Sequence, residues 1–145
     1  MITRRALLTT ALLLAATGSL HAEGIAASMF KNPGCECCDA YAAYLRNHGF
    51  TVTVKAAEDL AQINRKAGIP EGLEGCHAVF IGRYFVSGHV PFEAVQKLLS
   101  EESDIKGITL AGMPAGSPGM SGDKQEPFLI QAIGKDGKTT VFMTV

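Results

Sequence analysis

Three of the four cysteines in the chain fall within four consecutive positions, and this cluster is the part of the sequence best suited to chemistry. The run is Cys35-Glu36-Cys37-Cys38, and Cys76 follows much later in the chain. Disulfides that stabilise a fold close long loops, whereas a bond within this run closes almost nothing. The cysteines therefore indicate a reactive or metal-binding site rather than a structural crosslink.

The spacing of these cysteines suits two kinds of chemistry. Cys35 and Cys38 have the C-x-x-C spacing of redox-active dithiols, so a thiol–disulfide oxidoreductase is the alternative function. Such an exchanger has no need of Cys37, and Cys76 is a fourth sulfur that the fold could return to the same place. The run also begins where a helix is predicted to begin, and the N–H groups there favour the thiolate, which is the form that binds metals.

The types of ligand indicate which metal would bind. Zinc sites commonly use pairs of cysteines two to four residues apart. Cys37 and Cys38 are adjacent, and adjacent side chains on a regular helix diverge by about 100°. We therefore expect them to contact different ions of a small cluster rather than one ion. Because soft sulfur ligands select Cu(I), and imidazole binds copper in either oxidation state, the sequence favours copper, with a structural zinc module as a third alternative.

Histidine and methionine residues elsewhere in the chain are further candidate ligands. His89 lies in a turn before a proline, and Met113 and Met120 lie in a segment rich in glycine and proline. We expect these three to contribute to the metal site, and a purely structural role stays open for each. His77 starts a predicted strand, whose alternation should point it away from Cys76. A surface or supporting role is therefore favoured for His77.

The secondary structure that must position these residues follows the order β-α-β-α-β-β-α. This is the order of a thioredoxin-like domain, an α/β fold with a mixed central sheet flanked by helices. Beyond it, residues 107–122 hold too many glycines and prolines for a helix or a central strand and predict a shaped loop. A hairpin around Asp136-Gly137 is predicted at the end. The predicted strands are 25–30, 51–55, 78–81, 84–87, 128–133 and 139–144, and the predicted helices are 36–47, 60–67 and a third from 91 onward.

The first 22 residues have the layout of an export signal. Arg4 and Arg5 precede an apolar run at 6–16, and cleavage is expected after Ala22. Such a run is shorter than the roughly 20 apolar residues of a membrane span. We therefore expect a periplasmic domain of residues 23–145 with no membrane span, exported by either the Sec or the twin-arginine route. The chain has 13 basic and 14 acidic residues and no basic run beyond this signal, so nucleic acid is not expected as a partner.

Four motifs, taken in order, resemble a known bacterial family. It is called domain of unknown function 411 and includes the periplasmic copper-resistance proteins named CopG. The resemblance spans nearly all of the chain beyond residue 25. The motifs are Asn32-Pro33-Gly34-Cys35-Glu36-Cys37-Cys38, Cys76-His77, Gly88-His89-Val90-Pro91 and Gly112-Met113-Pro114-Ala115-Gly116-Ser117-Pro118-Gly119-Met120.

The resemblance implies a thioredoxin-like fold and copper bound by the C-x-C-C cysteines together with the later cysteine. It also implies a role in copper handling outside the cytoplasm. We therefore expect a metal-binding protein rather than an enzyme, one that acts in copper resistance and homeostasis through a multinuclear Cu(I) cluster. We further expect the bound copper to change between Cu(I) and Cu(II). Other periplasmic copper-handling proteins are expected as partners.

Overall fold

The computed structural model describes residues 23–145, so the expected export signal at 1–22 lies outside the described residues. None of the helices in residues 23–145 is long and apolar enough to cross a membrane. The elements are β1 (Ile25–Lys31), α1 (Glu36–Asn47), β2 (Phe50–Ala56), α2 (Leu60–Ala67), β3 (His77–Ile81), β4 (Tyr84–Ser87), α3 (Phe92–Ser100), β5 (Ile105–Thr109), β6 (Leu129–Gly134) and β7 (Thr139–Thr144).

The seven strands form one mixed sheet in the order β2-β1-β3-β4-β5-β6-β7. The pairs β1–β2 and β4–β5 are parallel, and the other neighbouring pairs are antiparallel. Parallel neighbours need a long crossover connection, which α1 provides for the first pair and α3 for the second. The predicted α/β class with a mixed sheet and helices is confirmed, and the thioredoxin-like assignment within that class stays a prediction.

Both faces of the sheet carry buried side chains, because successive residues of a strand point to opposite faces. The larger cluster packs Tyr41 and Leu45 of α1 and Leu98 of α3 against strand residues such as Val79 and Val86. The smaller cluster lies on the other face, where Ala78, Phe85 and Ile133 of the strands pack with Ile69, which follows α2. Ala67 and Leu73 pack against this cluster. The N-terminal end of α1 is therefore held against a sheet that is buried on both sides.

One strand, β5, was not predicted, and its residues overlap the predicted loop. The loop was expected to begin at Gly107, but Gly107 lies inside β5, paired with β4 on one side and with β6 on the other. A Cβ at Gly107 would collide with the carbonyl oxygen of Phe85 and lie 2.6 Å from the ring of the same residue, so a glycine is needed at this point of the strand. The irregular segment begins only at Leu110, after β5. By contrast, α1 and the C-terminal hairpin lie where the sequence predicted them, within one residue at each end.

Candidate metal centre

The cysteine-rich run lies where β1 passes into α1. Cys35 caps the helix in an extended conformation, with φ −77° and ψ 97°, and the helix begins at Glu36. Pairing of β1 with β3 places Lys31 opposite His77, and just beyond this pair the backbone N–H of Asn32 donates to the carbonyl of Cys76 at 3.3 Å. The expectation that the fold returns Cys76 to the helix start is therefore confirmed.

The four cysteine sulfurs lie within 4.8 Å of one another. Cys76 Sγ is 3.2 Å from Cys38 Sγ and 3.7 Å from Cys37 Sγ, and Cys37 Sγ is 3.4 Å from Cys35 Sγ. Cys35 and Cys38 are joined by a disulfide, while Cys37 and Cys76 are free. Reduction would therefore present four thiol sulfurs at one place, whereas the disulfide form presents two.

The spacing of Cys37 and Cys38 led us to expect that they contact different ions of a small cluster. In the structure Cys76 Sγ lies close to both of their sulfurs. The sulfurs of Cys35 and Cys38 are bonded to each other, whereas two sulfurs on one tetrahedral zinc ion at about 2.3 Å would be about 3.8 Å apart. The number of ions that the reduced cysteines hold therefore stays a prediction.

Cys76 is a thiol rather than a thiolate in the metal-free protein. Burial and the neighbouring Cys37 sulfur raise the pKa of Cys76 to about 12. A metal that binds Cys76 must displace this proton, so metal binding at this sulfur competes with protons.

His89 faces the same sulfur from the turn after β4. Its Nε2 lies 3.4 Å from Cys76 Sγ, and its Nδ1 lies 2.7 Å from the carbonyl oxygen of Pro118. Because a carbonyl can only accept, Nδ1 carries the proton and the neutral ring presents the Nε2 lone pair to the sulfur. Burial lowers the pKa of His89 and so favours this neutral form. Metal-ligating histidines commonly have this arrangement, with a backbone carbonyl fixing the tautomer.

His77 also lies beside the sulfurs, so the surface position and the orientation away from Cys76 are wrong, and the supporting role stays a prediction. It is fully buried, and its Nδ1 lies 3.5 Å from Cys76 Sγ. Strand alternation did not apply because Cys76 precedes β3, which begins at His77 itself. Burial and the neighbouring His89 lower the pKa of His77 to about 3, and its Nε2 has no hydrogen-bond partner among the described residues.

Two residues that the sequence analysis did not single out support the site. The ammonium of Lys31 donates to the carbonyl of Cys35 at 3.0 Å and to the carboxylate of Asp39 at 2.6 Å, and its side chain is only 11% exposed. Tyr41 donates from its hydroxyl to the Val90 carbonyl at 2.8 Å, and its ring stacks on His77 with centroids 4.7 Å apart. The sequence signal for the contact between Lys31 and Cys35 was the presence of a lysine at the end of an apolar strand.

The glycine-rich loop closes over the start of α1. A Cβ at Gly119 would lie 2.8 Å from the backbone nitrogen of Tyr41 and 3.0 Å from the carbonyl oxygen of Cys37, so the loop touches the helix backbone. Met120 follows this contact and is half-buried, while Met113 is 38% exposed. The loop thus reaches the site through Gly119 and Pro118, and the roles of Met113 and Met120 as ligands stay predictions.

The fold and the site define a small α/β domain with a sulfur-rich candidate metal centre. The model of a family described as "Protein of unknown function, DUF411" matches residues 73–120. Two solved structures, named "Copper resistance protein copG- Form 1" and "Form 2", are each 32% identical to the chain and cover 85% of it. The match covers 98% of the first, with a TM-score of 0.78, and 99% of the second, with a TM-score of 0.79.

The chain belongs to the DUF411 family, which includes these copper resistance proteins. A comparison with curated proteins gave no match. The family expected from the four motifs is therefore confirmed.

Proposed function

We propose that the protein binds copper through the sulfurs of Cys35, Cys37, Cys38 and Cys76 and acts in copper resistance. The observation that carries this proposal is the convergence of four sulfurs from two distant parts of the chain within 4.8 Å. Four cysteines so placed have little purpose in packing, because three of them lie at the site only half-buried. The function of the two similar solved structures, as their names state it, supports the same conclusion.

Copper is preferred over zinc because of the donors around the sulfurs. Thiolates select Cu(I), and the neutral imidazole of His89 beside Cys76 is a donor that copper accepts in both oxidation states. We propose a multinuclear Cu(I) cluster at the four sulfurs. We also propose that a copper ion there gives one electron to an external one-electron acceptor, becomes Cu(II) supported by imidazole, and regains the electron from an external donor. In this proposal copper is the cargo or substrate of the protein. Full loading requires that a dithiol donor first reduces the Cys35–Cys38 disulfide and is itself oxidised to a disulfide.

We further propose that the protein works in the periplasm. The support is the sequence of the first 22 residues, in which Arg4 and Arg5 precede a short apolar run and a small-residue cleavage site. Other copper-handling proteins of that compartment are its proposed partners.

The proposal is tested by counting copper. The reduced protein is loaded with Cu(I) without oxygen and dialysed, and copper per chain is measured beside circular dichroism. We expect the unaltered protein to hold more than one copper ion, and Cys37→Ser and Cys76→Ser each to hold fewer, because a hydroxyl is a hard ligand that Cu(I) binds poorly. Both side chains are half-buried, so these changes open no large cavity.

Ala40→Ser is the matched control, since it adds a hydroxyl to an exposed position of the same helix. It should hold as much copper as the unaltered protein. Unchanged copper in folded Cys37→Ser would contradict the cluster. One tightly held zinc ion with no retained copper would instead favour the structural zinc module.

A second function, thiol–disulfide exchange, is favoured by one observation, the disulfide between Cys35 and Cys38. A substrate thiolate would attack one sulfur and release the other as a thiolate, and a second substrate thiolate would complete the exchange and leave the protein as a dithiol. This chemistry does not use Cys37. Insulin reduction runs this exchange in reverse, because the protein dithiol becomes a disulfide as an insulin disulfide is reduced. Insulin reduction that survives in Cys37→Ser would therefore support exchange, whereas loss of copper from this variant, with no insulin reduction by the unaltered protein, would support the copper site.

A further inference from the structure

The disulfide leaves a second group of donors intact beside the cysteine-rich run. Cys76 Sγ, His77 and His89 each offer one ligand atom, and these atoms lie within 4.8 Å of one another. None of the three belongs to the Cys35–Cys38 disulfide, and Cys76 is a free thiol. The group is therefore available in the form of the protein in which half of the four-sulfur site is blocked.

We propose that Cys76 Sγ, His77 Nδ1 and His89 Nε2 form a mononuclear site for one divalent transition-metal ion, available while Cys35 and Cys38 are joined as a disulfide. The inference rests on the proposed function in one respect, since Cys76 serves both sites. Binding involves no change of oxidation state, because the Cys76 thiol releases one proton as the sulfur–metal bond forms and the disulfide stays intact.

The distances match those of a bound ion. A sulfur at about 2.3 Å and a nitrogen at about 2.0 Å from a tetrahedral zinc ion lie about 3.5 Å apart. Cys76 Sγ is 3.5 Å from His77 Nδ1 and 3.4 Å from His89 Nε2. The three donors therefore need little rearrangement to hold an ion.

The hydrogen bonding of His89 also fits a metal ligand. Its Nδ1 donates to the Pro118 carbonyl, which leaves the Nε2 lone pair free to bind an ion. A backbone carbonyl in this position is a common way of orienting a ligating histidine.

His77 places a nitrogen donor in buried surroundings. The side chain is fully buried, and Cys76 Sγ is the one hydrogen-bond partner found for its Nδ1 in residues 23–145. A ring that served only to stack on Tyr41 would need no nitrogen at this place. An ion at Nδ1 would replace a weak sulfur contact with a strong bond.

The kind of ion follows from two imidazoles and one thiolate. This donor set is typical of copper sites that carry Cu(II), in which a weak fourth ligand completes the coordination. In solution Cu(II) would also oxidise the free thiols of Cys37 and Cys76. We therefore choose Co²⁺ as the probe, because it does not oxidise thiols and its thiolate-to-metal absorption reports a cobalt–sulfur bond.

The experiment titrates Co²⁺ into full-length protein whose disulfide is intact, as shown by two free thiols after unfolding. We expect one ion per chain with thiolate-to-cobalt absorption. His77→Phe keeps a ring against Tyr41 but lacks the donor, and Cys76→Ser lacks the sulfur. Both variants should bind Co²⁺ at least about tenfold more weakly than the unaltered protein. Removing a residue that merely orients a metal ligand already lowers metal affinity by about tenfold or more, and these residues are proposed as ligands themselves.

His48→Phe is the matched control, since it removes an imidazole that packs on Phe92 at the far end of α1. It should bind Co²⁺ as the unaltered protein does. Binding without a sulfur absorption band, or unchanged affinity in His77→Phe, would overturn the inference; if that variant does not fold, Cys76→Ser and the band decide.

The reduced protein separates this inference from the proposed function. Cu(I) loading of the reduced form with no Co²⁺ binding to the disulfide form would overturn the mononuclear site alone. Co²⁺ binding to the disulfide form with no Cu(I) retained after reduction would overturn the four-sulfur proposal alone.

Discussion

The contact between the glycine-rich loop and α1 makes a sharp prediction for Gly119→Ala. Gly119 has φ +83°, in the left-handed region, and a Cβ there would lie 2.8 Å from Tyr41 N and 3.0 Å from Cys37 O. Both are backbone atoms of a packed helix and cannot move aside. Gly112 lies in the same loop with φ +79° and has nothing within 4 Å of a Cβ. Gly112→Ala is therefore a matched control that shares the backbone strain but not the clash.

The expected loss of stability has two parts. Alanine in the left-handed region costs about 1–2 kcal/mol, and both variants carry this cost. In Gly119→Ala the loop must also retreat by more than about half an ångström to reach an ordinary contact of about 3.5 Å. That movement stretches the 2.7 Å hydrogen bond from His89 to Pro118, and a typical hydrogen bond contributes about 1 kcal/mol. We expect Gly119→Ala to be about 1–2 kcal/mol less stable than Gly112→Ala.

Urea unfolding of the metal-free disulfide form measures this difference directly, with the free energy of unfolding extrapolated for both variants and the unaltered protein. Trypsin provides a second measurement, because a displaced loop should be cut faster after the exposed Lys124. Equal stability of the two variants, within about 0.5 kcal/mol, would refute the reasoning that the loop is seated on α1 through Gly119.

Two further predictions concern the ends of β1 and of the expected signal. Lys31→Met removes the ammonium that donates to the Cys35 carbonyl and should lower the free energy of unfolding by about 1–2 kcal/mol. Lys66→Met, on the exposed surface of α2, is the control and should change it by less than about 0.5 kcal/mol. Equal effects of the two changes in urea unfolding would contradict this role of Lys31. The protein isolated from the periplasm should have the mass of a chain that begins at Glu23, and a full-length product retained in the membrane would contradict export and cleavage.

The sequence predicted the elements that carry a strong local signal. Helix α1 has an apolar stripe and a glycine at its end, and the C-terminal hairpin is marked by Asp136-Gly137, so both lie where expected. The strand β5 was missed because Gly107 looks like a loop residue. Its place in the sheet depends on the ring of Phe85 in the neighbouring strand, which is a tertiary contact that local pattern does not contain.

The sequence predicted which sulfurs form the site but not how the residues around them are arranged. Clustered cysteines are visible in the sequence, and Cys76 was singled out as a fourth sulfur that the fold could return to the same place. The predicted orientation of His77 was wrong because it depends on where β3 begins, and the start of β3 is set by its pairing with β1. The contact of Lys31 with Cys35 likewise depends on how β1 meets α1 in space, so only the structure reveals it.

The position of the sulfurs is set by the sheet rather than by a metal. Cys35 follows β1 directly, Cys76 precedes β3, and these strands are hydrogen-bonded neighbours whose pairing continues to Asn32 and Cys76. Small zinc domains differ in this respect, because their ligands come together only when the metal binds and the binding energy is spent on folding. Here the donors are positioned by strands and helices whose core residues pack on both faces of the sheet. We therefore expect the domain to keep its circular dichroism when a chelator removes copper, whereas a structural zinc module would unfold as it lost its metal.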